Sequence, residues 1–285
     1  MTSIFGQNRI AIASIDVEPD WGGRLPAQPE YLRGVRMGIP AIFEILQKYE
    51  IPTTLFVNGE SVPHISEALN LAVSAGYEIA SHGFTHRRMP ELSREEIRQE
   101  LSQSKAVLET ATGQTVSGFR APQARIPDGL FAELKRAGYE YDSSVFGGKM
   151  PTRFDNREAS QLPHMREGIW EIPVNQLPLI PLPMGLLWVD LFNLSSIQLL
   201  TQFYPLPSLV HLYMHPFDFI PAYPVEGFAI PRGAKLWYTR RRGSALRTLE
   251  KAIAWLRLSG YSFMTAGELV KLEKSGETPL VNTPV

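Results

Sequence analysis

Residues 76–101 read GYEIASHGFTHRRMPELSREEIRQEL and hold, in order, a glycine, a short apolar run, two histidines and the start of a helix. The run from Tyr77 to Ser81 has the length and apolar character of a buried strand. Ser93 and Glu96 have the spacing of a capping box, which satisfies the free backbone amides at a helix N-terminus. Gly76 suits the left-handed residue that ends a helix. The stretch therefore predicts one strand and helix unit.

The same unit recurs along the chain. Gly113, Gly138 and Gly260 each follow a helical pattern, and Thr265 with Glu268 forms a second capping box. Strands that alternate with helices predict an α/β fold, either a (β/α) barrel or an open parallel sheet. Eight strands are predicted, at Ile10–Asp16, Thr53–Asn58, Tyr77–Ser81, Ser117–Arg120, Tyr139–Ser143, Ile169–Val174, Leu209–His215 and Tyr261–Met264.

The composition excludes several classes of function. The 285 residues are 44% hydrophobic and 20% charged, which is ordinary for a globular protein with a substantial core. The net charge of -1, from 28 basic and 29 acidic residues, gives no field that would attract nucleic acid. The chain has no cysteine, so any metal must be held by histidines and carboxylates.

Two stretches bear on the compartment. The N-terminus MTSIFGQNRIAIASID lacks the charged segment, long apolar core and cleavage site of a secretory signal, so we expect a cytoplasmic protein. The stretch from Leu177 to Leu194 is apolar, but three prolines and Asp190 interrupt it, so no transmembrane segment is predicted. It is either a buried or partly exposed connection, or an apolar surface for a lipid-linked substrate with peripheral membrane contact.

Polar residues stand at the ends of six predicted strands. Sites in barrels and in open parallel sheets form at the carboxyl ends of the strands. Six polar residues at this place in six strands are expected to converge on one site; they are Asp16, Asn58, His82, Arg120, Asp142 and His215.

Two of these strand ends carry candidate metal ligands. Asp16 and Glu18 point to the same side of an extended chain, so one carboxylate can act as a base and the other can bind metal; Asp20 competes for the metal position. His82 and His86 are four residues apart and share one face if the chain forms a helical turn there. Two histidines and one carboxylate leave open positions, as in catalytic zinc sites.

The segments SIDVE, TTLFVNGE, ASHGFTHRRM, GFRAPQ, YDSSVF and LYMHPFD have the order and approximate spacing of motifs in a known superfamily. The chain resembles the polysaccharide deacetylases, carbohydrate esterase family four with NodB homology, over about residues 10–270. It looks closest to the branch with an Asp-Val-Glu first motif, associated with bacterial exopolysaccharide assembly. The resemblance implies a distorted (β/α)7 barrel, with one catalytic domain over residues 1–285 and its core at about 8–272.

The resemblance also implies roles for individual residues. Asp16 matches the catalytic base and Arg120 the arginine that orients it. His82 and His86 match the two metal-binding histidines, and His215 matches the general acid. The expected cofactor is one divalent ion, zinc being the first choice.

Two motifs depart from the family pattern. Many members have a second aspartate beside the base that binds the metal; Val17 stands there, so Glu18 is expected to be the metal carboxylate. The motif YDSSVF only loosely matches the one that supplies an acidic partner to the general acid, which makes Asp142 the candidate for that role.

The expected function is removal of an N-acetyl group from an amino sugar in bacterial polysaccharide biosynthesis, with a nucleotide- or lipid-linked carrier substrate as one form. One alternative is hydrolysis of a small non-sugar amide, such as a ureide or a formamide. Another, which Val17 leaves open, is a catalytically inactive carbohydrate-binding protein on the same scaffold. The sequence does not decide the oligomeric state, the sugar or its linkage.

Overall fold

The computed structural model describes residues 8–23, 25–150, 153–221, 223, 225 and 244–276. Eight of the described strands fall within the eight predicted runs or extend them by one residue at each end. Three further strands are very short and lie between residues 148 and 166. The strands are β1 (Arg9–Val17), β2 (Thr53–Val57), β3 (Glu78–Ser81), β4 (Gly118–Phe119), β5 (Tyr141–Asp142), β6 (Gly148–Met150), β7 (Phe154–Asn156), β8 (His164–Arg166), β9 (Ile169–Glu171), β10 (Leu209–Met214) and β11 (Tyr261–Phe263).

One mixed sheet organises the described residues. Its strand order is β10-β1-β2-β3-β4-β5-β9-β8, with β11 also paired to β1. Every pairing in this sheet is parallel except that of β8 with β9, and β6 and β7 form a separate antiparallel pair. The parallel strands form a half-barrel wrapped by helices, in agreement with the predicted single α/β domain with a distorted barrel.

Helices connect most of the strands. Both predicted capping boxes are confirmed: Ser93 and Glu96 exchange side-chain and backbone hydrogen bonds at one helix start, as Thr265 and Glu268 do at another. Gly113 ends its helix with a φ of 68°, as predicted. The helices are α1 (Arg33–Lys48), α2 (Ser66–Ser74), α3 (Arg94–Thr112), α4 (Leu130–Arg136), α5 (Leu186–Leu191), α6 (Leu194–Thr201), α7 (Ala245–Leu258) and α8 (Ala266–Ser275).

The main hydrophobic core lies between the helices and the sheet. Helix α1 shows how the sequence builds it, because Val35, Ile39, Ile42 and Leu46 recur at helical spacing and are all buried. They belong to the same apolar cluster as Ile15 of β1. Burial of each such side chain stabilises the fold by ~1.5–3 kcal/mol, so α1 fixes the strand that carries the first motif.

The apolar stretch from Leu177 to Leu194 is mainly an internal connection. Leu177, Leu186 and Val189 are fully buried in the main core, whereas Leu179 and Phe192 are 58% and 37% exposed. Among the described residues, no helix combines the length and the apolar character that crossing a membrane requires.

A polar network closes the amino end of the half-barrel. The side chain of Glu78, the first residue of β3, accepts hydrogen bonds from Thr54 Oγ1 at 2.8 Å, Tyr141 Oη at 2.9 Å and Gly267 N at 3.0 Å. These donors come from β2, β5 and α8, so one carboxyl group joins three elements to its own strand. Burial raises the pKa of Glu78 above its usual value, despite hydrogen bonds that act in the opposite direction.

We expect the substitution Glu78→Ala to lower the free energy of unfolding by about 2 kcal/mol, because it leaves buried donors without their acceptor. Urea denaturation followed by circular dichroism measures the change. Glu140→Ala is the matched control, since Glu140 forms an exposed ion pair with Lys274 and such pairs contribute little. Equal losses in the two variants would contradict the role given to Glu78.

Candidate metal centre and catalytic site

The parallel strands bring the candidate residues together at their carboxyl ends. Asp16 is near the end of β1, and His82 and Arg120 directly follow β3 and β4. Glu18 directly follows β1, and His215 directly follows β10. Apart from His215, whose side chain is 20% exposed, these groups are almost completely buried. The structure therefore brings together residues that the sequence placed at the ends of different strands.

Glu18, His82 and His86 form a cluster that could hold a metal ion. Their ligand atoms all lie within 4.8 Å of one another. Glu18 Oε2 is 3.1 Å from His82 Nε2 and 2.5 Å from His86 Nε2. Burial alone would raise the pKa of Glu18, but the two histidines beside it hold that pKa well below its usual range. Glu18 is thus an ionised carboxylate that faces two imidazole nitrogens.

Backbone carbonyls orient both histidines for metal binding. His82 Nδ1 lies 2.9 Å from the Arg120 carbonyl oxygen, and His86 Nδ1 lies 3.2 Å from that of Gly23. Because a carbonyl oxygen can only accept, each Nδ1 carries a proton, and Nε2, which faces Glu18, is the nitrogen that can bind a metal ion once it has lost its own proton. This is the outer-shell arrangement of metal-binding histidines. The donor set therefore fits a divalent ion with open positions for other ligands.

Asp20, the alternative candidate for the metal carboxylate, forms hydrogen bonds with other parts of the chain. Its two oxygens accept from Gly34 N at 3.0 and 3.1 Å, and one also accepts from Tyr223 Oη at 2.5 Å. Burial raises the pKa of Asp20 to about 6. Asp20 thus ties the loop after β1 to the first turn of α1, and Glu18 is the carboxylate that lies with the histidines.

Arg120 holds Asp16 from one side. Its Nη1 donates to Asp16 Oδ1 at 2.5 Å and to Ser14 Oγ at 3.1 Å, while Nη2 donates to Ser143 Oγ at 2.9 Å. The guanidinium carbon lies 3.9 Å from the centre of the Phe56 ring. One oxygen of Asp16 is therefore engaged in a buried ion pair, and Oδ2 faces His215.

His211 completes the surroundings of Arg120 and was not assigned a role from the sequence. Its Nε2 lies 3.0 Å from Arg120 Nη2 and 2.9 Å from Ser14 Oγ. Burial, together with the positive charge of Arg120, lowers the pKa of His211 well below its usual value. His211 is thus a neutral acceptor. The signal in the sequence was its alternation with Tyr213 and His215, which places all three on one face of β10.

His215 lies between three carboxylates. Its Nε2 is 3.9 Å from Asp16 Oδ2 and 3.8 Å from Glu18 Oε1, and its Nδ1 is 3.5 Å from Asp218 Oδ2. The ring stacks on Phe217 with 4.7 Å between ring centres. Burial opposes the charged imidazolium, but the hydrogen bond to Asp218 and the nearby carboxylates outweigh it and raise the pKa of His215 to about 9.

Asp142, the predicted acidic partner of the general acid, contacts Ser144 and Glu171. Asp142 is buried at the end of β5, where it accepts from Ser144 Oγ at 2.6 Å and shares a hydrogen bond with Glu171. Burial raises the pKa of Asp142. The carboxylate at His215 Nδ1 is that of Asp218, three residues further along the chain. Asp218 also accepts from the backbone amide of His215 at 3.1 Å, a short-range pairing that the letters HPFD could have indicated.

Several residues around the site have left-handed backbone conformations. Trp21, His86, Gln123 and Ala124 have φ between 55° and 64°, which is costly for residues with side chains and is often found at functional sites. Gly23, at φ 62°, lies against His86: a Cβ atom there would be 1.9 Å from His86 Nδ1. The loop after β1 therefore needs a glycine at this point.

We expect Gly23→Ala to weaken metal binding by about tenfold or more, because it moves the carbonyl that orients His86 and displaces the imidazole. Competition with a chromogenic chelator measures the affinity. Gly22→Ala is the control, since Gly22 has a similar φ of 78° but no atom lies closer than 4.0 Å to its added Cβ. An equal effect of both variants would point to backbone strain alone.

Comparison with known proteins agrees with this geometry. A family model described as polysaccharide deacetylase matches residues 33–141, which include His82, His86 and Arg120. Peptidoglycan deacetylase of Helicobacter pylori is 28% identical over 109 residues, which are 38% of this chain and 37% of that protein. The chain matches just over a third of the length of its first curated relatives.

Solved structures extend the likeness of the fold over nearly the whole chain. One is a Mycobacterium smegmatis protein ascribed to the polysaccharide deacetylases, with 17% identity, a TM-score of 0.66, and 98% of this chain and 96% of that chain covered. Another is a pseudoenzyme of carbohydrate esterase family four from Bacillus anthracis, with 18% identity, a TM-score of 0.53, and 93% and 66% covered. In its motifs, in its family match over residues 33–141 and in its fold, this chain is similar to the polysaccharide deacetylases.

Proposed function

We propose that this protein is a metal-dependent hydrolase that removes an N-acetyl group from an amino sugar. The observation that carries the proposal is the convergence of three units: the Glu18, His82 and His86 cluster, the ion pair of Asp16 with Arg120, and the His215 side chain. Hydrolysis of an amide is catalysed by a Lewis acid, a base and a proton donor that all reach one carbonyl group. The cluster would hold the Lewis acid, and Asp16 and His215 would be the base and the proton donor.

Glu18 and the two Nε2 atoms would hold a divalent ion, with zinc as our first choice. Such an ion, when bound, supplies Lewis acidity toward a carbonyl oxygen and toward water. The chain's own contribution is to keep both histidines in the tautomer that ligation requires, through the carbonyls of Arg120 and Gly23.

Asp16 acts as the base in this proposal. Arg120 holds Oδ1 and compensates the buried negative charge, so Oδ2 is free to take a proton from the attacking water. His215 Nε2 lies 3.9 Å from that same oxygen, on the open side of the carboxylate. The Asp16 carboxylate is thereby held in position before a substrate binds. The catalytic step then does not require the base to be reoriented.

His215 acts as the acid. With a pKa of about 9 it carries a proton at neutral pH, and its Nε2 faces the space between Asp16 and Glu18. It can therefore give that proton to the departing amine nitrogen, which is a poor leaving group while unprotonated. Asp218 orients the ring through Nδ1 and favours the charged form.

The substrate that we propose is an N-acetylated sugar, nucleotide- or lipid-linked, in bacterial polysaccharide biosynthesis. The similarity to deacetylases of peptidoglycan and chitin supports the acetyl group and the sugar. The Asp-Val-Glu first motif supports the biosynthetic setting. Small ureides and formamides remain the competing substrates.

An inactive carbohydrate-binding protein is the second candidate, since pseudoenzymes with this fold exist and Val17 replaces a metal aspartate of many relatives. The position of Glu18 favours the enzyme, because its carboxylate faces both histidines at 3.1 and 2.5 Å. The chain therefore retains a carboxylate ligand although its first motif differs.

Metal content and acetate release together test the proposal. Elemental analysis of the zinc-replete protein is expected to give about one ion per chain. Incubation with N-acetylhexosamine substrates is expected to release acetate, and a chelator is expected to stop the release. Metal without acetate from any substrate would favour other amides or a binding protein, and absence of metal would contradict the mechanism.

A further inference from the structure

The loop that carries both histidines has an unfavourable backbone shape. The loop begins after Ser81, the last residue of β3. It must turn within three residues to bring the His82 and His86 side chains together. Gly83 has a φ of 74° and His86 a φ of 55°. A non-glycine residue in this region costs about 1–3 kcal/mol and persists only where its surroundings enforce it. Something outside the loop must therefore fix its shape.

The carbonyl groups of the loop are held from one side. The Phe84 carbonyl oxygen accepts from Asn58 Nδ2 at 2.6 Å and from Glu60 N at 2.8 Å. The Gly83 carbonyl oxygen accepts from Gly59 N at 2.9 Å and from Ser104 Oγ at 3.0 Å. Residues 58–60, which follow β2, thus supply most of the hydrogen-bond donors to the carbonyl groups of the loop.

The amide groups of the loop are held by Glu100 of α3. Glu100 Oε2 accepts from Phe84 N at 2.7 Å and from Thr85 N at 2.9 Å, and Oε1 accepts from the Thr85 hydroxyl group. Both oxygens are engaged, and the residue is only 7% exposed. Successive backbone amides that point at one carboxylate form an anion-binding concavity, in which a charged acceptor is stronger than a neutral one.

We propose that Glu100 is a positioning residue of the metal centre: it binds the amides of residues 84 and 85 and so fixes the distance and angle between the two imidazoles. It acts through His82 and His86 and is not itself a ligand. The inference rests on the proposed function, since it assumes that the cluster binds a metal ion. Loss of a partner outside the ligand shell typically weakens metal binding 10- to 100-fold, and we expect Glu100→Ala to do the same.

The same helix offers a matched control. Glu109 also accepts from a backbone amide outside α3, that of Val116 at 3.0 Å, but that amide belongs to a segment without metal ligands. Glu100→Ala and Glu109→Ala therefore each remove a carboxylate that accepts a hydrogen bond from a backbone amide outside the helix. Only the first removes one that supports the histidine loop.

The test uses the full-length chain, stripped of metal, and its variants Glu100→Ala, Glu100→Gln and Glu109→Ala. Competition with a chromogenic chelator gives Kd for Zn²⁺, the visible spectrum of bound Co²⁺ reports ligand geometry, and urea denaturation reports stability. We expect Glu100→Ala to raise Kd at least tenfold and to change the cobalt spectrum. Glu100→Gln keeps one oxygen for the amides, so its Kd should lie between those of the wild type and Glu100→Ala, whereas Glu109→Ala should keep the wild-type Kd.

The outcomes separate this inference from the proposed function. A wild-type chain that binds no metal would overturn both. Wild-type metal binding, with an unchanged Kd and spectrum in folded Glu100→Ala, would overturn the positioning role alone. If Glu100→Ala does not fold, Glu100→Gln decides, since an unchanged Kd and cobalt spectrum in that folded variant would equally overturn the positioning role.

Discussion

Replacing His86 with alanine is expected to abolish tight metal binding. The variant loses one of the two proposed nitrogen ligands, so the loss in affinity should exceed the 10- to 100-fold typical of partners outside the ligand shell. The remaining pair, Glu18 and His82, offers one nitrogen and one carboxylate, which is below the three protein ligands of catalytic zinc sites. Elemental analysis after dialysis and chelator competition give the stoichiometry and the affinity.

His64→Ala is the control for this variant, because His64 is exposed and lies outside the cluster. It should keep about one ion per chain. If His86→Ala also retained stoichiometric metal with an affinity near that of the wild type, the ion would be bound elsewhere, and the assignment of the cluster would have to be abandoned.

Replacing His215 with alanine should have the opposite pattern: metal is retained and turnover is lost. His215 Nε2 lies 3.8 Å from Glu18 Oε1 and is not part of the compact ligand cluster, so the ion should remain. Removal of a general acid typically costs about 10²- to 10⁴-fold in rate, and we expect kcat for acetate release to fall within that range. KM should change little, because the acid is needed for the departing amine.

Asp218→Asn tests the same mechanism with a smaller change. It keeps the shape of the side chain but removes the charge beside His215 Nδ1, so kcat should fall less than in His215→Ala. A His215→Ala variant that released acetate at the wild-type rate would exclude His215 as the acid, and loss of metal in that variant would move His215 into the ligand shell.

The sequence predicted the parallel framework because its signals are local. Strands such as β1 and β10 are mostly apolar and almost wholly buried, and the capping boxes at Ser93 and Thr265 depend on residues three apart. Strands β6, β7 and β8 were not predicted, since their sequences GKM, FDN and HMR contain no apolar run. Their pairing is decided by contacts that a short run of letters does not encode.

Some features of the candidate site could likewise be predicted from local sequence, and others depend on contacts between distant residues. The spacing of His82 and His86 and the placement of both at one strand end could be read from the sequence. The choice of Glu18 over Asp20 could not, because it depends on Gly34 and Tyr223 reaching Asp20 from distant parts of the chain. Asp142 was predicted from a family motif, and the sequence reasoning assigned no role to Asp218.

Arg120 links Asp16, the proposed catalytic base, to the architecture of the half-barrel. Its guanidinium contacts Ser14 and Asp16 of β1, Ser143 after β5 and His211 of β10, so it braces the half-barrel across its interior. In many enzymes an active-site residue can be exchanged with a gain in stability, because such sites are strained. Substitution of Arg120 would instead leave the buried Asp16 carboxylate without its cation. Any variant at this position is therefore expected to lose both stability and activity.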